Sequence, residues 1–169
     1  MLLGRDIFIV DIEASGLGFC TFPIEIAVIN LTGDVSYSAL IKPQRDWAHW
    51  NWDEMAEQVH NISWKMLQEN GLPAERVAKE VWHILAGSEL YSDAPQQDLA
   101  WLEVLRDVAW PPLPGIRIEH LSKLPILTAD FFVDFSDEPR EHRAGVDVRH
   151  LRQAILSQLR PDEAQALFR

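Results

Sequence analysis

The sequence predicts an α/β fold, a mixed sheet flanked by helices, and three observations carry that expectation. Strand-like apolar runs come first, over 7–12, 24–31 and 35–41, the last two joined by the turn Thr32-Gly33-Asp34, as in an N-terminal antiparallel meander. A strand, a helix and a further strand follow later in the chain, which indicates a crossover unit and so parallel central strands. Finally, no repeat, low-complexity tract or shift of composition divides the 169 residues, so a single domain over 1–169 with one sizeable core is expected.

The elements follow in order. In the first strand Ile7, Ile9, Asp11 and Glu13 point to one face and Phe8, Val10 and Ile12 to the other. After the meander, PQRDWAHWNWD over 43–53 is a Pro- and Trp-rich connection. Helical patterns occupy 54–59, 63–70 and 74–86, with Pro73 suited to a helix start and Gly71 and Gly87 to helix ends. A short strand over 88–92 feeds a helix over 97–109, whose Trp101, Leu102, Leu105 and Val108 keep the helical period. WPPLPG then breaks the chain, before a strand over 116–119, a short helix over 128–135 and a last helix over 146–159.

Composition narrows the function. With 47% apolar and 24% charged residues the chain is globular, not disordered. Cys20 is the only cysteine, which excludes an internal disulfide framework and a thiolate cluster, so any metal is held by oxygen or imidazole; it also fits a reducing cytoplasm. The first residues lack a signal-peptide layout and no uncharged apolar stretch reaches the ~18 residues of a membrane span, so a soluble, cytoplasmic protein without a membrane partner is expected. A net charge of −11 argues against a general electrostatic grip on long nucleic acid. A short substrate held mainly at a metal site stays allowed.

Four acids then stand out. Asp11 and Glu13 are same-face neighbours where the first strand ends. Asp98 and Asp147 each occupy the first turn of a helix on its apolar side, in line with Trp101, Leu102 and Leu105 and with Leu151, Ala154 and Ile155. Helix capping accounts for either aspartate singly. Together, at element ends in an α/β sheet, four inward acids call for cations, and an all-oxygen set points to two Mg²⁺ or Mn²⁺ ions of the kind used in phosphodiester hydrolysis.

These residues resemble the DEDDh 3′-to-5′ exonucleases of the ribonuclease H-like superfamily, a family that includes polymerase proofreading subunits, RNase T and oligoribonuclease. Its first motif looks like Asp11-Ile12-Glu13-Ala14-Ser15-Gly16-Leu17, and its third is met in full by His142-Arg143-Ala144-Gly145-Val146-Asp147. The second, usually His-Asn-x-x-aromatic-Asp, corresponds to Asp93-Ala94-Pro95-Gln96-Gln97-Asp98, where the terminal acid is kept and the other named positions differ. The resemblance spans roughly 6–159 and implies a ribonuclease H-like sheet. It implies that Asp11 bridges two metals, that Glu13 and Asp147 complete the first shell and that Asp98 holds the second ion. It further implies His142 as general base, with Ser15, Gly16 and Leu17 cradling the terminal nucleotide and Leu17 wedging against its base. Read alone, those three residues are a glycine-rich turn after a strand. The implied reaction is release of nucleoside 5′-monophosphates from single-stranded 3′ ends, with RNA or short oligonucleotides ranked above DNA. Relatives of this kind are often homodimers. The alternatives are a DNA proofreading exonuclease, a small-nucleotide phosphodiesterase and an inactive binding module of the same fold.

Other residues have two readings each. His60 either touches substrate or packs; Glu25 either orients groups of the site or is an edge charge. Trp82 and Trp101 belong to the core, whereas Trp47, Trp50 and Trp52 form either a base-stacking platform or, more often for a long loop, packing. Arg140, Arg143, Arg149 and Arg152 form either a phosphate-holding rim or a salt-bridged helix face.

Overall fold

A computed structural model of the chain describes residues 6–127, 142–159 and 167. Strands β1 (Ile7–Ala14), β2 (Pro23–Asn30) and β3 (Ser36–Lys42) form the antiparallel meander. The chain then passes through a 3₁₀ turn (Arg45–His49) to helices α1 (Glu54–His60) and α2 (Trp64–Asn70), a two-residue strand β4 (Leu72–Pro73) and α3 (Ala74–Ile84). Strand β5 (Glu89–Ser92) lies parallel to β1, helix α4 (Pro95–Arg106) follows, and β6 (Ile118–His120) lies parallel to β5. Helix α5 (Ala144–Gln158) is the last described element of any length. The sheet order is β4-β3-β2-β1-β5-β6, with β1 to β3 antiparallel and the pairs β1-β5, β5-β6 and β3-β4 parallel, a mixed sheet as the sequence predicts.

Strand alternation sorts the apolar residues into two layers. Phe8, Val10 and Ile12 of β1 and Ile24, Ile26 and Val28 of β2 meet Val77, Val81, Leu102 and Leu105 of α3 and α4. Ile7, Ile9, Ala27 and Ile29 face Val148, Leu151 and Ile155 of α5 on the other side. Covered on both faces, β2 is buried along its whole length. Asp11 and Glu13 therefore belong to the α5 side of the sheet. No helix among the described residues is long and apolar enough to cross a membrane.

Local chemistry sets the ends. Asp53 Oδ1 accepts the Met55 N–H at 2.8 Å and caps α1; Ser63 Oγ accepts from Met66 at 3.2 Å and caps α2. Helix α3 stops at Ile84, short of the expected 86, because the chain turns at Leu85 towards Gly87, whose φ of +77° is the left-handed conformation that ends helices. Helix α4 begins at Pro95, ahead of the expected 97, since proline fits the first turn. The expected strand over 116–119 forms at Ile118–His120, while β4 was too short to show a period. The expected helix over 128–135 lies outside the described residues.

The Trp-rich connection packs. Trp47 is buried and stacks on Phe22 with ring centroids 5.4 Å apart, Trp50 lies 6.1 Å from Trp47, and Trp52 meets Trp64 edge-on at 5.6 Å. Three hydrogen bonds tie this loop to the end of the first motif. Asn51 N–H reaches the Cys20 carbonyl at 2.8 Å, Asn51 Nδ2 the Phe19 carbonyl at 2.9 Å, and Asp53 N–H the Ser15 carbonyl at 2.7 Å. The aromatic loop is thus a buttress for the segment beyond β1.

Candidate metal centre

The apolar run of the first strand stops at Ile12, yet β1 continues to Ala14 because β2 supplies partners, Glu25 opposite Glu13 and Pro23 opposite Ala14 across a bulge. The extension carries Glu13 into the sheet beside Asp11. On the same side, α5 presents Asp147 in its first turn, buried at the head of the stripe that continues through Val148, Leu151 and Ile155. Carboxylate oxygens of Asp11, Glu13 and Asp147 all lie within 4.8 Å of one another.

Asp98 enters from the first turn of α4 and is 2% exposed. It lies outside that closest group of three, but it comes first among the charges acting on Asp11. Its Oδ2 accepts a hydrogen bond from Ser92 Oγ, and the Ile12 backbone supplies another. Ser92 closes β5 fully buried, and its hydroxyl also accepts the Ala94 N–H at 2.8 Å. Where the second motif departs from the family pattern, Ser92 therefore holds the remaining acid.

Electrostatics make the pocket costly when empty of positive charge. Burial raises the Asp11 carboxyl well above its ordinary value, and the carboxylates of Asp98, Glu13, Asp147 and Asp93 each push it further. Burial also lifts Asp98 to about 7, against the lowering effect of its bonds from Ser92 and Ile12, with Asp93 and Glu13 adding to the rise. Among the described residues, Asp11 Oδ2 is buried without a hydrogen-bond partner. A buried, unpartnered oxygen among like charges fits a hard divalent cation. Asp11, Glu13 and Asp147 can hold one such ion, with Asp98 beside Asp11 for a second.

Ser92→Ala is expected to weaken Mn²⁺ binding by about tenfold, since orienting partners of metal-binding carboxylates contribute on that order, while Ser92→Thr keeps the donor and most of the affinity. Electron paramagnetic resonance of free Mn²⁺ reads both.

Other site expectations resolve as follows. The Ser15 hydroxyl accepts from Phe22 N–H at 3.1 Å and its backbone bonds the Phe22 carbonyl, so it holds the loop closed. Gly16 packs on Asp53: a Cβ there would stand 2.9 Å from Asp53 Cβ. Leu17 is 78% exposed beside Gly18, whose φ is +100°. His142 is exposed just ahead of α5. His60 is buried; Nδ1 accepts from Ile62 N–H at 3.0 Å, and desolvation lowers its pKa, so it packs as a neutral ring. Arg152 bonds the Leu31 and Thr32 carbonyls and Arg143 bonds Glu25, so these two serve the fold; Arg149 is exposed and Arg140 lies outside the described residues. Sequence reasoning missed Ser92, a lone hydroxyl at a strand end with no local signal, and Asp93, whose charge reaches both Asp11 and Asp98.

No family model and no curated protein matches the chain. Solved structures do. An exonuclease I from Methylocaldum szegediense aligns at TM-score 0.64 and 16% identity, covering 94% of this chain and 42% of that one. Escherichia coli exonuclease I in complex with a dA16 oligonucleotide aligns at 0.66 and 12% identity, covering 96% and 42%. The zinc-bound form of an E. coli exonuclease I complex with single-stranded DNA aligns at 0.51 and 13%, covering 59% and 23%. The chain therefore spans less than half the length of these structures. The likeness establishes the fold, which this chain shares with the exonuclease I structures over most of its length.

Proposed function

We propose that the chain is a metal-dependent 3′-to-5′ exonuclease of the DEDDh type, releasing nucleoside 5′-monophosphates from single-stranded ends. One observation carries this reading: on an exonuclease fold, Asp11, Glu13 and Asp147 converge within 4.8 Å beside Asp98, around a buried, unpartnered Asp11 oxygen. Asp11, Glu13 and Asp147 would hold one Mg²⁺ or Mn²⁺ ion, and Asp98, beside Asp11, would help to hold a second. Bound there, such ions polarise the attacked phosphate and neutralise charge on the departing 3′ oxygen. His142, exposed ahead of α5, takes a proton from the attacking water as general base. Ser15 and Gly16, held by Phe22 and Asp53, shape the turn beneath the terminal nucleotide, from which the exposed Leu17 wedges against its base.

The substrate is a short single strand. With a net charge of −11 the chain has little to hold a long phosphate backbone, so affinity comes from the metal centre and from the loop tip, where Leu17 and Phe19 are 78% and 94% exposed. The exonuclease I complexes with dA16 and with single-stranded DNA support DNA as substrate; the acidic, compact chain supports short RNA. Incubation with 5′-labelled RNA and DNA oligomers decides between them. A ladder shortening from the 3′ end with Mg²⁺ or Mn²⁺, absent with EDTA, is expected. Cleavage indifferent to the chelator rules the mechanism out.

A further inference from the structure

We propose that Glu25 is a positioning residue for this centre: from β2 it clamps the start of α5 and thereby fixes Asp147 and His142 relative to β1. The inference rests on Asp147 being a metal ligand. Glu25 is 4% exposed, and three N–H groups use its two oxygens. Oε1 accepts from Arg143 Nη2 at 2.7 Å; Oε2 accepts from Arg143 Nε at 3.0 Å and from the Ala144 backbone N–H at 2.9 Å.

Helix α5 has no capping side chain of its own, because Arg143 occupies the cap position. Glu25 supplies the missing acceptor from another strand. Arg143 passes the constraint on, since its carbonyl accepts the N–H groups of Val146 at 2.8 Å and Asp147 at 3.0 Å. One turn of helix thus links a β2 carboxylate to the aspartate that meets Asp11 and Glu13, with His142 adjacent in sequence to the clamped arginine. The register supports the same division of labour. Glu25 stands directly opposite Glu13, and like charges so placed repel. The bidentate arginine neutralises Glu25 and so relieves that repulsion.

A merely stabilising ion pair and a positioning clamp differ in metal affinity at constant fold. Glu25→Gln loses the charge and presents an amide to donors; the paired variant Glu25→Met with Arg143→Met removes both charges together, so no buried ion is stranded and the fold is retained. Both are expected to bind Mn²⁺ at least about tenfold more weakly than wild type, with kcat reduced by up to about a hundredfold and thermal melting of the paired variant close to wild type. Mn²⁺ affinity within about twofold of wild type in either folded variant overturns the clamp. Wild-type protein that binds Mn²⁺ but cuts no oligomer overturns the nuclease reading alone, with the clamp still judged by the affinities. Wild type that binds no Mn²⁺ overturns both.

Discussion

Asp11→Asn is expected to lower divalent-cation-dependent hydrolysis by about a thousandfold or more and, at the same time, to raise the melting temperature of the metal-free protein. The two effects have one cause. Asp11 is the carboxylate on which Asp98, Glu13, Asp147 and Asp93 all act, and its Oδ2 has no hydrogen-bond partner. With ions bound as proposed, Asp11→Asn would remove a carboxylate that holds them, and losses of single stabilising groups in such sites run to about 10²–10³ or beyond. Without ions, the same charge is repelled by its neighbours, so an isosteric neutral side chain relieves strain. Relief of about 1 kcal/mol raises melting by about 2–4 °C for a chain of this size. A variant that merely damaged the fold would lower both quantities. Activity assays beside calorimetric melts in EDTA separate the cases, and a lowered apo melting temperature contradicts the electrostatic reading.

The second large effect is on stability against pH. Asp98 has a folded pKa raised to about 7, and Asp11 is raised well above its ordinary value. A carboxyl with a raised folded pKa contributes stability that is present below the unfolded value and lost as pH rises through the folded one, because the unfolded chain has already released its proton. For Asp98 the window runs from about pH 4 to about pH 7 and corresponds to roughly 4 kcal/mol in the metal-free protein. His60 works in the opposite direction, since burial lowers its pKa and its stabilising share is lost as pH falls below about 6.5. The increment produced by Mg²⁺ isolates the carboxylates, because His60 contributes equally with and without it. Saturating Mg²⁺ is expected to raise the melting temperature strongly at about pH 8, where the acids are charged and repel, and little at about pH 5, where protons compete for the same oxygens. Equal increments at the two pH values contradict a pocket of shifted carboxylates.

Much of this site was legible because it obeys period. Asp11 and Glu13 follow Ile7 and Ile9 on one strand face, and Asp98 and Asp147 head apolar stripes in helices whose remaining members are buried. Periodicity therefore placed all four acids inward before any contact was known. What it could not place depends on partners far away in the chain. Glu25 and Arg143 are separated by 118 positions, so neither an edge charge nor a basic rim could be told from a clamp by spacing. The same contact explains why α5 begins at Ala144, ahead of the expected 146. Ser92 orients Asp98 through a hydroxyl that looks like any strand-end serine. The tryptophans at 47, 50 and 52 have the composition of a stacking platform, and only their ring contacts, of Trp47 and Trp52 with Phe22, of Trp52 with Trp64 and of Trp50 with Trp47, show that they pack.

The central claim is that converging carboxylates from β1, α4 and α5 form a pocket completed by divalent cations. Titration of the metal-free chain with Mn²⁺ at about pH 8, followed by electron paramagnetic resonance of the free ion, tests it most directly, because protons then compete least for the carboxylate oxygens. Saturable uptake of two ions per chain is expected for wild type, with uptake abolished or reduced to weak surface binding in Asp11→Asn. Uptake by wild type no different from that of the variant contradicts it.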